Sequence, residues 1–257
     1  MAPQNVRPIP GSVALLGSGE YLDVMNDIDA YLLETLGGVD TARVALLPTA
    51  SGLEPNGPTL WNNLGRSHFE KLGVKDIRAT HIIDRASAAD SKQLALLQDA
   101  NLYYFSGGSP QHIIESLRDS VAWNIIKDAY NRGAALAGCS AGAMMLSGHT
   151  ISMRQAMMGD KVSFVESLGI VHHLIVFPHF DRMAGFMNQS RFQSLLHTAP
   201  QDHIVVGIDE DTALVRIKPN ETANAKARWR VMGRQTVKVY EGDKVPHTLN
   251  SGDEVML

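Results

Sequence analysis

The chain has 257 residues, of which 44% are hydrophobic and 19% charged, and its formal net charge at pH 7 is −4. This balance is typical of a soluble globular protein with a sizeable core, and it gives no reason to expect nucleic acid or an anionic membrane as partner. A lone cysteine excludes an internal disulfide framework and favours the reducing cytoplasm. No segment approaches the roughly 20 apolar residues of a membrane span. Residues 1–11 contain three prolines and no signal-peptide core, so we expect an extended arm there.

Short apolar runs alternate with segments of helical periodicity from residue 13 to about residue 150. This alternation predicts a doubly wound, mostly parallel sheet with helices on both faces. We predict strands at 13–16, 44–47, 77–83, 102–105 and 133–137, and helices at 23–36, 61–72, 88–97, 111–117 and 121–132.

After residue 150 the pattern changes to buried strands and then to short strands separated by turn residues. The short strands indicate an antiparallel, β-rich C-terminal extension over residues 213–257. No linker, repeat or low-complexity segment interrupts the chain, so one α/β domain over residues 1–257 is the simplest interpretation. We predict strands at 174–177, 204–208, 213–217, 227–232 and 236–240, and a helix at 186–197.

The segment 138–142 (GCSAG) joins an apolar strand to a run of good helix formers. A serine on such a turn is typical of a nucleophile elbow, whose strained backbone needs small residues two positions away on each side. Gly138 and Gly142 meet this need for Ser140, whereas the same test centred on Cys139 finds only alanines. Ser140 is therefore the predicted nucleophile, and a tightly packed glycine-rich connection is the alternative interpretation.

A histidine and an acidic run each follow a predicted buried strand. Ligand sites in parallel sheets lie beyond the carboxyl ends of the strands, so we expect both groups near Ser140. His179 is the predicted base, with a structural histidine as the alternative, because His172 and His173 precede that strand. Glu210 is our first choice for the orienting carboxylate and Asp209 the second, because the sequence does not indicate which one turns inward.

Acyl transfer also needs amide donors for a developing oxyanion. The amide of Ala141 follows the nucleophile at a helix N-terminus, and Gly107 or Gly108 follows the strand at 102–105. A pocket formed by Phe177, Arg182 and residues 49–57 is expected to contact substrate, with Arg182 as a carboxylate anchor.

No cofactor or metal is predicted. The glycines of the segment 17–19 (GSG) hint at a dinucleotide fingerprint, but Leu22 stands where the third glycine belongs. No histidine or cysteine cluster has zinc-ligand spacing.

Taken in order, four segments resemble the serine peptidase family that contains aspartyl dipeptidase (peptidase E) and cyanophycinase. That family is similar in fold to the class I glutamine amidotransferases, a flavodoxin-like architecture. The order nucleophile, histidine, acid differs from the Ser–Asp–His order of α/β-hydrolases. The matching segments are 105–108 (FSGG), 138–143 (GCSAGA), 178–180 (PHF) and 207–214 (GIDEDTAL).

The resemblance implies a role for each matching residue. Ser140 is then the nucleophile, His179 the base and Glu210 the third triad member. The oxyanion amides come from Gly108 and Ala141. Apart from the resemblance, we expect substrate contacts at Gly107, Ser109 and Arg182.

The chain departs from the cyanophycinase-like pattern on both sides of the histidine. Those members carry Asp-Gln before the histidine and an arginine-rich run after it, for a β-aspartyl-arginine substrate. Here Phe177 and Pro178 precede the histidine, and the segment between His179 and Arg191 contains a single arginine, Arg182. Ser109-Pro110 likewise replaces the Asp-Gln that usually follows the paired glycines, so the resemblance does not extend to cyanophycin as substrate.

The leading hypothesis is a cytoplasmic serine hydrolase that cleaves an amide bond of a small peptide-like substrate through an acyl-enzyme. One alternative is a catalytically silent or ligand-binding protein of the amidotransferase-like fold, and another is amidotransfer or thiol chemistry through Cys139. A homo-oligomer is compatible with the sequence, which does not specify the oligomeric state.

Overall fold

A computed structural model describes residues 9–152, 162–218, 227–242 and 245–257, so residues 1–8 of the predicted arm lie outside the described residues. The strands are β1 (Val13–Leu16), β2 (Arg43–Leu47), β3 (Asp76–Ala79), β4 (Leu102–Phe105), β5 (Ala135–Cys139), β6 (Ser147–Ile151), β7 (Phe164–Glu166), β8 (Val171–Pro178), β9 (Ile204–Ile208), β10 (Thr212–Lys218), β11 (Arg228–Gly233), β12 (Thr236–Glu241), β13 (His247–Asn250) and β14 (Glu254–Met256). The α-helices are α1 (Asn26–Thr35), α2 (Gly57–Lys71), α3 (Ser91–Leu97), α4 (Pro110–Leu117), α5 (Val121–Asn131), α6 (Ala141–Leu146), α7 (Met183–Phe186) and α8 (Gln189–Leu196).

The larger sheet has the strand order β14-β11-β10-β1-β5-β4-β2-β3. Its strands β1, β5, β4, β2 and β3 are parallel, and β10, β11 and β14 extend it in antiparallel pairing. The α/β class, the mostly parallel core and the antiparallel C-terminal strands are therefore confirmed.

The strands that carry the histidine and the acidic run belong to a second sheet, which the strand pattern did not reveal. This smaller sheet has the order β13-β12-β9-β8-β6-β7, with β6, β8 and β9 parallel. The chain enters it directly after α6, and it returns to the larger sheet through residues 209–211, between β9 and β10. Two further crossings follow, from β11 to β12 and from β13 to β14. The first two crossings lie beside the elbow and the acidic run, so the expected site lies at the junction of the sheets.

Helices pack against both faces of the larger sheet, which explains why its central strands are apolar on both sides. Successive residues of β1 show this: Leu15 packs in a cluster with Ile113 of α4, whereas Leu16 packs in another with Ile28 of α1. In the described ranges, no helix has the length and hydropathy needed to cross a bilayer.

Several element boundaries differ from the predicted ones because hydrogen bonding overrides local pattern. Strand β8 begins at Val171, so His172 and His173 lie within it rather than before it. The helix predicted from residue 186 begins at Gln189, because the side chain of Asn188 accepts a hydrogen bond from the amide of Arg191 and caps it. Strands β6, β7, β13 and β14 were not predicted.

We predict that Leu15→Ala lowers the free energy of unfolding by about 2–5 kcal/mol, because it leaves a cavity in a core where Leu15 is 0% exposed. Leu60→Ala is the matched control at a residue that is 55% exposed, and it should change stability by less than about 0.5 kcal/mol. Urea unfolding followed by circular dichroism measures both. Equal losses would contradict this assignment of the core.

Candidate active site

Ser140 lies on a strained turn between β5 and α6, with φ 51° and ψ −111°. The turn is so tight that a Cβ atom built on Gly138 would lie 2.5 Å from the carbonyl carbon of Gly142. This contact explains the glycine at position 138. A Cβ built on Gly142 would lie 2.5 Å from the carbonyl oxygen of Phe105, which explains the second glycine. The backbone therefore has the geometry of a nucleophile elbow centred on Ser140.

His179 follows β8 and also has unusual backbone, with φ 152° and ψ 51°. Its Nε2 atom lies 2.7 Å from Oγ of Ser140. Strained residues persist only where the surrounding structure holds them. Here the carbonyl of His179 accepts a hydrogen bond from the amide of Arg182 at 3.0 Å, and the Phe180 ring packs 5.4 Å from that of Phe192.

Glu210 lies on the turn between β9 and β10, and its Oε1 is 3.2 Å from Nδ1 of His179. An ionised carboxylate can only accept hydrogen bonds, so Nδ1 carries the proton in this pair. The lone pair of Nε2 then faces the hydroxyl of Ser140. Ser140, His179 and Glu210 are thus connected in one hydrogen-bonded chain.

Asp209 points in another direction, although it is the neighbour of Glu210. Its Oδ2 accepts hydrogen bonds from the amide of Thr236 at 3.1 Å and from its hydroxyl at 2.6 Å. Asp209 is only 7% exposed and joins β12 to the end of β9. Of the two candidate acids, Glu210 is the one in contact with His179.

Asp181 and Arg182 form hydrogen bonds with Glu210 on the solvent-exposed side of the site. Its amide donates to Oδ1 of Asp181 at 2.9 Å, and Nε of Arg182 lies 3.3 Å from its Oε2. The Arg182 side chain is 67% exposed and also pairs with Asp181 at 3.4 Å. The predicted carboxylate anchor is therefore already part of the hydrogen-bonded surroundings of the acid.

Two backbone amides near Ser140 have no hydrogen-bond partner in the part of the chain that the structure describes. Ala141 is the first residue of α6, where an amide has no intrahelical acceptor. Among the described residues the Gly108 amide donates no hydrogen bond, whereas Gly107 donates to Glu20 and Ser109 to the carbonyl of Ala50. The φ of 141° at Gly108 is one that other residues rarely adopt.

Two predicted substrate contacts have other partners. The hydroxyl of Ser109 accepts a hydrogen bond from the amide of His112 and caps α4. Phe177 is buried against Phe192 in the core of the smaller sheet, so its ring does not line a pocket beside Arg182.

Glu20 is a site neighbour that the sequence reasoning did not single out. It is 7% exposed, and its carboxylate contacts both Gly107 and Cys139. Its signal in the sequence is its position directly after a glycine turn at the carboxyl end of β1. An acid at that position is exposed to solvent unless neighbouring strands cover it. Because the covering depends on strand order, the sequence alone does not predict that Glu20 is buried.

Cys139 is buried, and its thiol hydrogen-bonds Oε2 of Glu20 at 2.8 Å. Burial raises its pKa well above the ordinary range, and the neighbouring Glu20 charge raises it further. A protonated, buried thiol is a poor nucleophile. The alternative of thiol chemistry at Cys139 therefore has no support in this geometry.

Other places for chemistry are few in the described ranges. No cluster of three or more His, Cys, Asp or Glu side chains is positioned there to hold a metal ion. A cavity of about 890 Å³ is lined in part by Ile204, the first residue of β9. It therefore lies at the opposite end of that strand from Glu210. Its lining includes none of Ser140, His179 and Glu210.

The profile of Peptidase family S51 matches residues 13–223. The chain belongs to peptidase family S51. This range includes the elbow, His179 and the acidic run, so the resemblance inferred from the four segments is confirmed. Membership makes the chain a serine-type peptidase.

Relatives of this S51 peptidase extend over most of its length. It is 28% identical to a cyanophycinase from Geminocystis herdmanii over 92% of this chain and 83% of the relative. It is 26% identical to a cyanophycinase from Synechococcus elongatus over 93% of this chain and 70% of the relative.

Solved structures agree with the fold of this S51 peptidase. A peptidase from an acI-B1 Actinobacterium superposes with a TM-score of 0.82 at 32% identity, over 98% of both chains. A putative peptidase E from Listeria monocytogenes EGD-e has a TM-score of 0.56 at 16% identity, over 94% of this chain and 98% of that one. The second likeness supports the peptidase E-like fold alone.

We predict that iodoacetamide does not alkylate Cys139 in the folded protein at about pH 8.5, the ordinary pKa of a free thiol. The raised pKa keeps the thiol protonated, and burial keeps the reagent out. Intact-mass spectrometry should show one adduct only after unfolding in guanidinium. Rapid alkylation of the folded protein would contradict this protonation state.

Proposed function

We propose that this S51 peptidase cleaves an amide bond of a small peptide-like substrate through an acyl-enzyme, with Ser140 as nucleophile, His179 as base and Glu210 as orienting acid. The observation that carries the proposal is the 2.7 Å contact of Ser140 Oγ with His179 Nε2, while Nδ1 of the same ring faces Glu210. A serine hydroxyl needs this kind of activation before it attacks a carbonyl.

The first half of the reaction forms the acyl-enzyme. Nε2 of His179 takes the hydroxyl proton as Oγ of Ser140 bonds to the substrate carbonyl carbon. The carbonyl oxygen becomes an oxyanion, which the amides of Gly108 and Ala141 stabilise. The tetrahedral species then collapses, the C–N bond breaks, and His179 gives its proton to the leaving amine.

The second half releases the acid product. Water replaces the amine, gives a proton to His179 and bonds to the acyl carbon. The ester bond to Oγ of Ser140 then breaks as the proton returns from Nε2 to the serine. Glu210 holds the imidazole in one tautomer and stabilises the imidazolium that forms twice per cycle.

The substrate is proposed as a short peptide that carries a carboxylate near its scissile bond. Arg182 is exposed beside the triad acid, and its guanidinium provides the fork geometry that recognises carboxylates. The family resemblance directs the first assays to aspartyl dipeptides. β-Aspartyl-arginine serves as a comparison substrate, which the missing arginine-rich run should disfavour. We further propose a cytoplasmic location, which the lone, buried Cys139 supports.

We predict that a fluorophosphonate probe forms one adduct, at Ser140, and that Ser140→Ala abolishes it. His179→Ala should slow labelling by at least about 10³-fold, because the hydroxyl then lacks its base. Peptide mapping by mass spectrometry locates the adduct. Well-folded protein that remains unlabelled would favour the catalytically silent alternative.

We predict that Glu210→Gln lowers kcat/KM and the labelling rate by about 10²–10⁴-fold, because a glutamine favours the wrong imidazole tautomer. Asp209→Asn is the matched control: it changes the adjacent carboxyl in the same way, but that group faces Thr236. It should retain activity within about threefold after correction for the folded fraction. A larger loss in Asp209→Asn than in Glu210→Gln would assign the acid to Asp209.

A further inference from the structure

Glu20 makes two hydrogen bonds from a nearly buried position. Its Oε1 accepts the backbone N–H of Gly107 at 2.8 Å, and its Oε2 accepts the thiol of Cys139 at 2.8 Å. Burying a carboxylate is costly unless its oxygens find donors. Here each oxygen has one donor, and both donors belong to segments adjacent to Ser140.

The strand order explains how Glu20 reaches both segments. Strand β5 lies between β1 and β4, with Leu16 opposite Cys139 and Phe105 opposite Gly138. The turns that follow β1 and β4 therefore flank the elbow on its two sides. Glu20 spans from the first of these turns to the second and passes Cys139 on the way.

The turn after β4 is held at both ends, and its middle amide, that of Gly108, has no acceptor among residues 9–152, 162–218, 227–242 and 245–257. Gly107 donates to Glu20, and Ser109 donates to the carbonyl of Ala50 at 2.8 Å. The turn also lies against the serine, because a Cβ built on Gly107 would be 3.3 Å from Cβ of Ser140. The position of the Gly108 amide relative to Ser140 therefore depends on the bond to Glu20.

We infer that Glu20 is a positioning residue for acyl transfer: its carboxylate orients the turn at residues 107–108 so that the Gly108 amide faces the oxyanion formed at Ser140. Glu20 acts through the turn and not on the substrate. It is not a second base for Ser140, whose hydroxyl contacts His179. The inference rests on the proposed function, because it assigns Gly108 to the oxyanion of that reaction.

The anchor at Cys139 gives Glu20 its direction. The thiol is protonated and donates to Oε2, which leaves Oε1 directed at Gly107. A side chain of the same length with an acceptor oxygen should therefore preserve the turn. Methionine has a similar length but no acceptor oxygen, so it should release the turn at residues 107–108. Aspartate is too short to reach both Gly107 and Cys139, so it should release the turn as well.

The test compares Glu20→Gln, Glu20→Met and Glu20→Asp by the rate of fluorophosphonate labelling at Ser140. In labelling, the hydroxyl of Ser140 gives its proton to Nε2 of His179 as Oγ bonds to phosphorus, and the P–F bond breaks to release fluoride. The phosphoryl oxygen then lies where the oxyanion would be bound. We expect Glu20→Gln within about fivefold of the unmodified chain. The Met and Asp variants should be about 10–100-fold slower, less than the roughly 10²–10³-fold cost of removing an oxyanion donor, because the Gly108 amide is displaced and not removed. The loss should lie in the maximal rate and not in probe affinity.

Controls separate this effect from loss of fold and from failure of the proposed function. Glu34→Met makes the same change at an exposed residue of α1 and should label at the unmodified rate. Thermal melts give the folded fraction of each variant. Equal rates for the Gln and Met variants, or a fast Asp variant with a slow Gln variant, would overturn the role of Glu20. If the unmodified chain does not label at Ser140, the proposed function fails first.

Discussion

The parallel hydrogen bonding of β5 to β1 on one side and to β4 on the other is the constraint on which the candidate site depends. It brings the carboxyl ends of three strands to one edge, so that Ser140 has Glu20 on one side and Gly107 on the other. The tight elbow follows from the same packing, because α6 leaves no room for a side chain at Gly138 and Phe105 of β4 leaves none at Gly142. Strain at Ser140 is thus held by a rigid sheet.

The other two members of the proposed triad are positioned by the second sheet. His179 follows β8 and Glu210 lies where the chain leaves β9 for β10, so both depend on the pairing of β8 with β9. Because these strands are parallel, their carboxyl ends meet at one edge, just as those of the larger sheet do. The site therefore lies between two rigid edges, which restrains the 2.7 Å contact between serine and histidine.

The adjacent residues Asp209 and Glu210 show a limit of inference from the sequence. Asp209 and Glu210 both follow a buried strand, and the order of residues does not distinguish them. The difference comes from β12, because Thr236 on this strand hydrogen-bonds the side chain of Asp209. The side chain of Glu210 is left to contact His179. Alternation of side chains explains why neighbours diverge, but only strand pairing decides which one meets the histidine.

By itself, the sequence determined the strand-to-helix elbow, the alternating α/β pattern and the set of polar residues that follow buried strands. These are local features, since they depend on short-range periodicity and on the steric needs of one turn. Tertiary structure decided the division into two sheets, which of the adjacent acids contacts His179, and the burial of Glu20. Each of these depends on contacts between residues far apart in the chain, which no local pattern encodes.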